Sequence, residues 1–171
     1  MIVRNKIWEE AQQAYANVLC LRWYTDRQRA CNRYYHLFIA TVASVGTFGY
    51  IFSDKFPLVS SIIIAVVSLI KSIFPHFLQP ERELCVLDGI MDFYNTYLIE
   101  METFFYQLDH EIISEEEMVE MLRDKKIEES EKQSTFNRLV RHIPSKKNHK
   151  FQSESIAYAN RVYFNKYEES K

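Results

Sequence analysis

Apolar positions along the chain follow three regimes, and each predicts a different kind of helix. Between residues 3 and 33, Ile7, Ala11, Ala14, Val18 and Leu21 recur at spacings of four and three, with Trp8 and Tyr15 widening the stripe. That period places them on one side of an amphipathic helix. From Tyr34 to Phe52 nineteen residues pass without a formal charge, and from Phe56 to Ile70 fifteen more. These runs are apolar around their whole circumference, so no period shows. From Leu84 the period returns: Leu84, Leu87, Met91, Tyr94, Leu98, Met101, Phe105 and Leu108 alternate spacings of three and four. This is a heptad seam. Val86, Ile90, Phe93, Tyr97 and Phe104 form a second stripe beside it, which predicts a helix packed on two partners.

The two uncharged runs have two readings. They are the buried core helices of a soluble bundle, or a hairpin that crosses a membrane twice. A span needs about 20 mainly apolar residues, and the second run reaches Phe77 if Lys71 snorkels to the interface. Burying two such helices on every side takes a shell of other helices that 171 residues do not supply. Tyr34 and Tyr35 at one end, and Tyr50, Phe52 and Phe56 at the other, sit where interfacial aromatics are expected. The pattern therefore predicts a transmembrane hairpin over 34–77, with spans 34–52 and 56–74 and a tip at 53–55. Arg22, Arg27, Arg29 and Arg33 precede it, Lys71, His76 and Arg82 follow or close it, and the tip holds only Asp54 and Lys55. By the positive-inside rule both termini face the cytoplasm.

On this reading residues 1–33 are a cytosolic amphipathic helix and 78–171 a cytosolic helical region. Its long heptad helix, 82–109, pairs antiparallel with the N-terminal one and leaves its second stripe for another subunit or the C-terminal helix. The fold class is all-α: a membrane helical hairpin of two transmembrane helices, continued by long cytosolic helices in an antiparallel bundle. Ser114 with Glu117 makes a capping box for a short helix through Glu115, Met118, Val119 and Leu122. Residues 123–150 read as mostly polar, with Phe136, Leu139, Val140 and Ile143 as an apolar island ended by Pro144. A last amphipathic helix is expected from Gln152 to Tyr167, with Ile156, Ala159, Tyr163 and Tyr167 on one side.

Composition supports long helices, because only three glycines and four prolines occur while aromatics reach 15%. With 21 Lys plus Arg against 23 Asp plus Glu, no global field points to a nucleic-acid partner. Cys20, Cys31 and Cys85 lack metal-site spacing and fit a reducing compartment. Cys20 and Cys31, eleven apart, share one helix face, and packing is preferred there over lipidation or redox use. No early apolar segment suggests a cleaved signal peptide.

Candidate chemistry is sparse. Asp109, His110 and Glu111 are adjacent and point to different faces of a helix. There is no Gly-rich phosphate loop, GxSxG or HExxH, so no enzyme, cofactor or metal is expected. His36, beside the arginines, reads as interfacial rather than as a proton sensor. Ser61, Ala65, Ser68 and Ser72 form a stripe of small residues on the second span, and Ala40, Ser44 and Thr47 another on the first, with Gly46 and Gly49 close by. Such stripes pack helices within a hairpin or between protomers, or they line an aqueous path once several hairpins assemble. Lys71 either snorkels or stands at the mouth of that path. The basic run Arg138, Arg141, Lys146, Lys147 and Lys150, with His142 and His149, is a solvated linker, or a contact for anionic inner-leaflet lipid or a nucleotide-like or acidic partner.

The sequence also resembles a known family. An Ala-rich helix with Cys20, Arg22, Arg29 and Arg33 leads into a first span, a tight tip and a second span; then come "ELCVLDGIMDFYNTYLIEMETFF", "SEEEMVEML" and "AYANRVYFNKY". Together they look like the SLATT domain, the two-transmembrane effector of bacterial conflict systems, over nearly the whole chain. The resemblance implies a homo-oligomeric inner-membrane protein that permeabilises the membrane in anti-phage defence when a nucleotide-signalling, sensor or reverse-transcriptase partner releases it. Lipid and a second copy of the chain are then the expected partners. The alternative is a non-conducting membrane scaffold that presents its cytosolic helices to a partner.

Overall fold

A computed structural model describes residues 2–52, 57–74 and 78–163, and residues 43, 45–52, 57–60 and 63 in backbone only. Among these residues the chain is all-α: α1 (Ile2–Phe52), α2 (Pro57–Ile73), α3 (Glu81–Asp109), α4 (Glu115–Leu139) and α5 (Ser145–Tyr163), with no strand. The expected tip at 53–55, Phe56, His76, Phe77 and Tyr167 lie outside the described residues. Two compact units divide the chain: unit 1 holds residues 1–24 and 85–171, unit 2 residues 25–84.

Local chemistry sets the helix ends. Pro57 opens α2, where its missing N–H and fixed φ suit the first helical turn. Pro80 precedes α3, its carbonyl accepting from the N–H groups of Glu83 and Leu84 at 2.9 and 3.3 Å. Glu81 and Glu83 add negative charge at that positive end of the helix dipole. At the other end of α3, the Ile112 N–H donates to Gln107 O at 2.9 Å and the Glu111 N–H to Leu108 O at 3.3 Å. This is a Schellman closure with Glu111, at φ 55°, in the left-handed position that glycine normally takes. Ser114 then caps α4 through the capping box: its hydroxyl accepts from the Glu117 N–H, and Glu117 returns a carboxylate to the Ser114 N–H at 3.2 Å.

Unit 1 is a four-helix bundle whose levels can be read from its contacts. Arg4 of α1 pairs with Asp109 of α3 and lies 5.5 Å over the Phe105 ring. Tyr97 of α3 donates to Glu10 at 3.5 Å, so α1 and α3 run antiparallel. Lys126 donates to Glu10 and Asn17 to Gln133, making α4 parallel to α1. Tyr15 stacks on Tyr158 and Trp23 meets Phe151, so α5 is antiparallel to α1. The core follows the two periodic stripes: Ile7, Ala11, Ala14, Val18 and Leu21 of α1, and Leu87, Tyr94, Leu98, Met101 and Phe105 of α3, are all buried. Each fully buried leucine contributes roughly 1.5–3 kcal/mol relative to exposure. Met91 and Leu108 are half-buried. The second stripe is covered by this same chain at Ile90, Tyr97 and Phe104, while Val86 stays exposed.

The C-terminal third departs from the expectation. Instead of a short helix and a polar stretch, α4 runs for 25 residues and α5 starts at Ser145. The inward stripe of α4 is Met118, Leu122, Glu129 and Phe136. A glutamate at the middle position hides the period from a hydropathy reading, and its burial becomes tolerable through the polar partners described below.

In unit 2, Asn32 Nδ2 donates to Gln79 O at 3.2 Å, Arg29 pairs with Glu81 at 3.3 Å, and the Tyr35 and Phe74 rings stack at 5.0 Å. Among the described residues no helix is long and apolar enough to cross a membrane. α2 has 17 residues, about 25 Å at 1.5 Å per residue, against a hydrocarbon core of about 30 Å.

Candidate functional site

A buried polar network lies across α1, α3 and α4 in the middle of unit 1. The Tyr94 hydroxyl lies 2.5 Å from Gln133 Oε1 and 3.1 Å from Glu129 Oε1, one donor between two acceptors. Gln133 Oε1 also accepts from Asn17 Nδ2 at 3.1 Å, and Asn17 Oδ1 accepts from Gln13 at 3.3 Å. On the other side Lys126 bridges two carboxylates, Glu10 at 2.6 Å and Glu129 at 3.2 Å. Tyr94, Tyr97, Asn17 and Glu129 are all buried. The neighbouring Lys125 binds Glu100 at 2.7 Å and Glu128 at 3.2 Å.

These contacts shift the titrating groups. Burial pushes the Tyr94 phenol well above its ordinary range, and the neighbouring Glu129 carboxylate adds to the shift. Tyr97 is raised by burial and then by Glu10. Burial alone would lower Lys126; the hydrogen bond and charge of Glu10, with those of Glu129, more than reverse it. Lys125 is raised mainly by its hydrogen bond to Glu100. All four groups are thereby held in the form they already have at neutral pH, tyrosine neutral and lysine charged. Such a network ties the register of three helices together, since a slip would strand buried polar atoms. Of its members only Tyr94, as a seam position, and Tyr97, as part of the second stripe, stand out in the sequence. Glu10, Asn17, Lys126, Glu129 and Gln133 fall on no motif; Asn17 and Glu129 are buried, Glu10 and Gln133 half-buried, and Lys126 is exposed.

The small-residue stripes lie in unit 2. Ala40, Ser44, Ser61, Ala65, Ser68 and Ser72 are exposed, as is Lys71. Thr41 Oγ1 and Ser44 Oγ donate to Leu37 O and Ala40 O, both at 2.9 Å, within their own helix. The Thr47 side chain lies outside the described residues. Around these residues the large apolar side chains also point outward: Leu37 is 62% exposed, Ile62 56%, Ile64 62% and Leu69 60%. His36 lines a recess of about 560 Å³ with Asn32, Tyr35, Leu78, Gln79, Pro80 and Glu81.

The basic run is dispersed over three elements rather than one linker. Arg138 ends α4, Arg141 lies in the connection, and Lys146, Lys147 and Lys150 occupy the first turns of α5; all five are exposed. The cysteines do not share an environment: Cys20 is buried and Cys31 and Cys85 are exposed, all three as free thiols. Burial pushes the Cys20 thiol up to about 11, which leaves it protonated and unreactive at neutral pH. Among the described residues no group of three or more His, Cys, Asp or Glu is placed to hold a metal ion.

Comparison with protein-family models, with curated proteins and with solved structures gives no match for this chain.

Proposed function

We propose that this chain is a membrane effector, held in a bacterial inner membrane by the second half of α1 and by α2, with both termini cytoplasmic. Copies of it assemble so that the two helices line a regulated pore, and the helices of unit 1 govern assembly and release in anti-phage defence. One observation carries the membrane placement: among the described residues of unit 2, Leu37, Ile62, Ile64 and Leu69 are exposed and Leu84 is the one buried apolar side chain, whereas unit 1, which also exposes Ile2, Ile99 and Ile127, keeps an apolar core of its own. A band of exposed large apolar side chains is unfavourable in water at about 25 cal/mol per Å², and lipid removes that cost. The shortness of α2 is met by local bilayer thinning and by Lys71 snorkelling from its last turns. Pore formation and the defence role rest on the resemblance to the SLATT domain and on the exposed hydroxyls of Ser61, Ser68 and Ser72.

A second reading, a non-conducting anchor that presents unit 1 to a partner, draws on Thr41 and Ser44. Their hydroxyls are satisfied by the backbone of the preceding turn, so they need neither water nor a neighbouring helix. The purified full chain in liposomes separates the two. A conducting effector releases trapped ions, and replacing Ser61, Ser68 and Ser72 with leucine lowers the flux. Absence of flux from reconstituted, folded protein sinks the pore and leaves the anchor.

A further inference from the structure

The recess beside His36 lies wholly within unit 2 and has no part in a pore. Its volume of about 560 Å³ falls in the range of about 300–1,000 Å³ that bound small molecules occupy. Part of its wall is aromatic: Tyr35 of α1 stacks on Phe74 at 5.0 Å, and the His36 ring meets Tyr35 at 5.5 Å. Leu78 and Pro80, between α2 and α3, add apolar lining. Two contacts hold that connection in place. Asn32 Nδ2 donates to Gln79 O at 3.2 Å, and the Leu78 N–H donates to Phe74 O at 3.2 Å. Glu81 also lines the recess, with Arg29 Nε 3.3 Å from its carboxylate. The Glu81 side chain is 63% exposed, so this ion pair stands at the mouth rather than inside. The recess sits where both apolar helices meet their flanks: Asn32 to His36 bracket Tyr34, and Leu78 is one turn beyond Phe74.

We propose that this recess holds one phospholipid with a primary-ammonium head group, a phosphatidylethanolamine. The top of an acyl chain lies against Tyr35, Leu78 and Pro80, the ammonium meets Glu81 and the phosphate lies beside Arg29. The proposal rests on the membrane reading above and adds the lipid class that the chain selects. An anion and a cation side by side at head-group level are the charge complement of a zwitterion. A primary ammonium donates N–H groups to a carboxylate in charge-assisted hydrogen bonds. A trimethylammonium donates none and is held instead by open aromatic faces, and Tyr35 has one face against Phe74. A head group with a phosphate and no ammonium brings a like charge to Glu81.

The test uses the full chain reconstituted in phosphatidylcholine nanodiscs. The discs carry a small, equal fraction of a lipid with a photoactivatable diazirine high on one acyl chain and an ethanolamine, choline or glycerol head group. Mass spectrometry maps and quantifies the cross-links. The ethanolamine lipid is expected to label residues 32–36 and 78–81 on the order of threefold more than the other two, the scale of an exposed charge pair. Glu81→Gln should bring the three lipids level there and leave labelling of the outward face of α2, from Ile62 to Leu69, unchanged. Equal labelling of the recess by all three lipids in the unsubstituted chain overturns the proposal, as does labelling confined to α2 or a preference that survives Glu81→Gln. A chain that fails to co-elute with the discs overturns the membrane reading along with it, whereas a chain that co-elutes without an ethanolamine preference overturns the lipid site alone.

Discussion

α1 passes through both units, and its two halves treat apolar side chains in opposite ways. In unit 1, Ile7, Ala14, Val18 and Leu21 are buried, and the polar groups of Tyr94, Asn17 and Gln133 are paired with one another. In unit 2, Tyr34, Leu37 and Phe38 on the same helix face outward, as do Ile62, Ile64 and Leu69 of α2. Periodic spacing marks a helix that solves its solvation within the chain; all-round apolarity marks one that leaves the solution to its surroundings. The proposed assignment of a membrane to unit 2 is an inference from that contrast.

The contrast breaks most severely if truncations cost the same in both regions. Leu87→Ala should destabilise unit 1 by about 2–5 kcal/mol, whereas Leu69→Ala, on an outward face, should stay within about 0.5 kcal/mol; denaturant titration in detergent compares them. Next comes the polar network. Tyr94→Phe leaves the acceptors of Glu129 and Gln133 short of a donor and should cost about 1–3 kcal/mol. Glu129→Met with Gln133→Leu, which removes both acceptors, should cost less than the single change if the network specifies register more than it stabilises.

Smaller effects sharpen the picture at the α3–α4 turn. Ser114→Ala removes the cap of α4 and should cost about 1 kcal/mol. Glu111→Gly relieves a side chain at φ 55° and should raise the melting temperature, by a stabilisation of about 1 kcal/mol. The pH dependence has a defined sign. Tyr94, Tyr97 and Tyr163 have folded pKa values raised chiefly by burial, while in the unfolded chain these phenols ionise near pH 10. Their contribution is therefore complete below about pH 10 and is lost as the pH rises beyond it. Melting temperature should be flat from pH 7 to 9 and fall above pH 10, with a shallower fall in the Tyr94→Phe, Tyr97→Phe double variant.

The all-α class was legible because glycine and proline are rare and the periods are long. The two stripes of α3 likewise mark its buried residues, Leu84 through Phe105 and Ile90 through Phe104. What the sequence concealed was α4 between Leu122 and Phe136, where Lys126, Glu129 and Gln133 occupy positions that hydropathy assigns to solvent. The burial of Glu129 and the places of Lys126 and Gln133 become intelligible only once Tyr94, Asn17 and Glu10 arrive from other helices. The basic run from Arg138 to Lys150 was legible as a charge concentration, but the contact of Lys147 with Trp23 was not, since it joins segments more than a hundred residues apart. The outward apolar residues of unit 2 were readable as a composition, but nothing local distinguishes a lipid-facing side chain from one facing another copy of the chain.

The central claim is that the apolar half of α1 and α2 lie in a lipid bilayer. Fractionation of cells expressing the full chain, followed by alkaline carbonate washing of the membranes, tests it most directly. The account predicts that the protein stays in the pellet after the wash and enters solution only with detergent; release into the carbonate supernatant would contradict it.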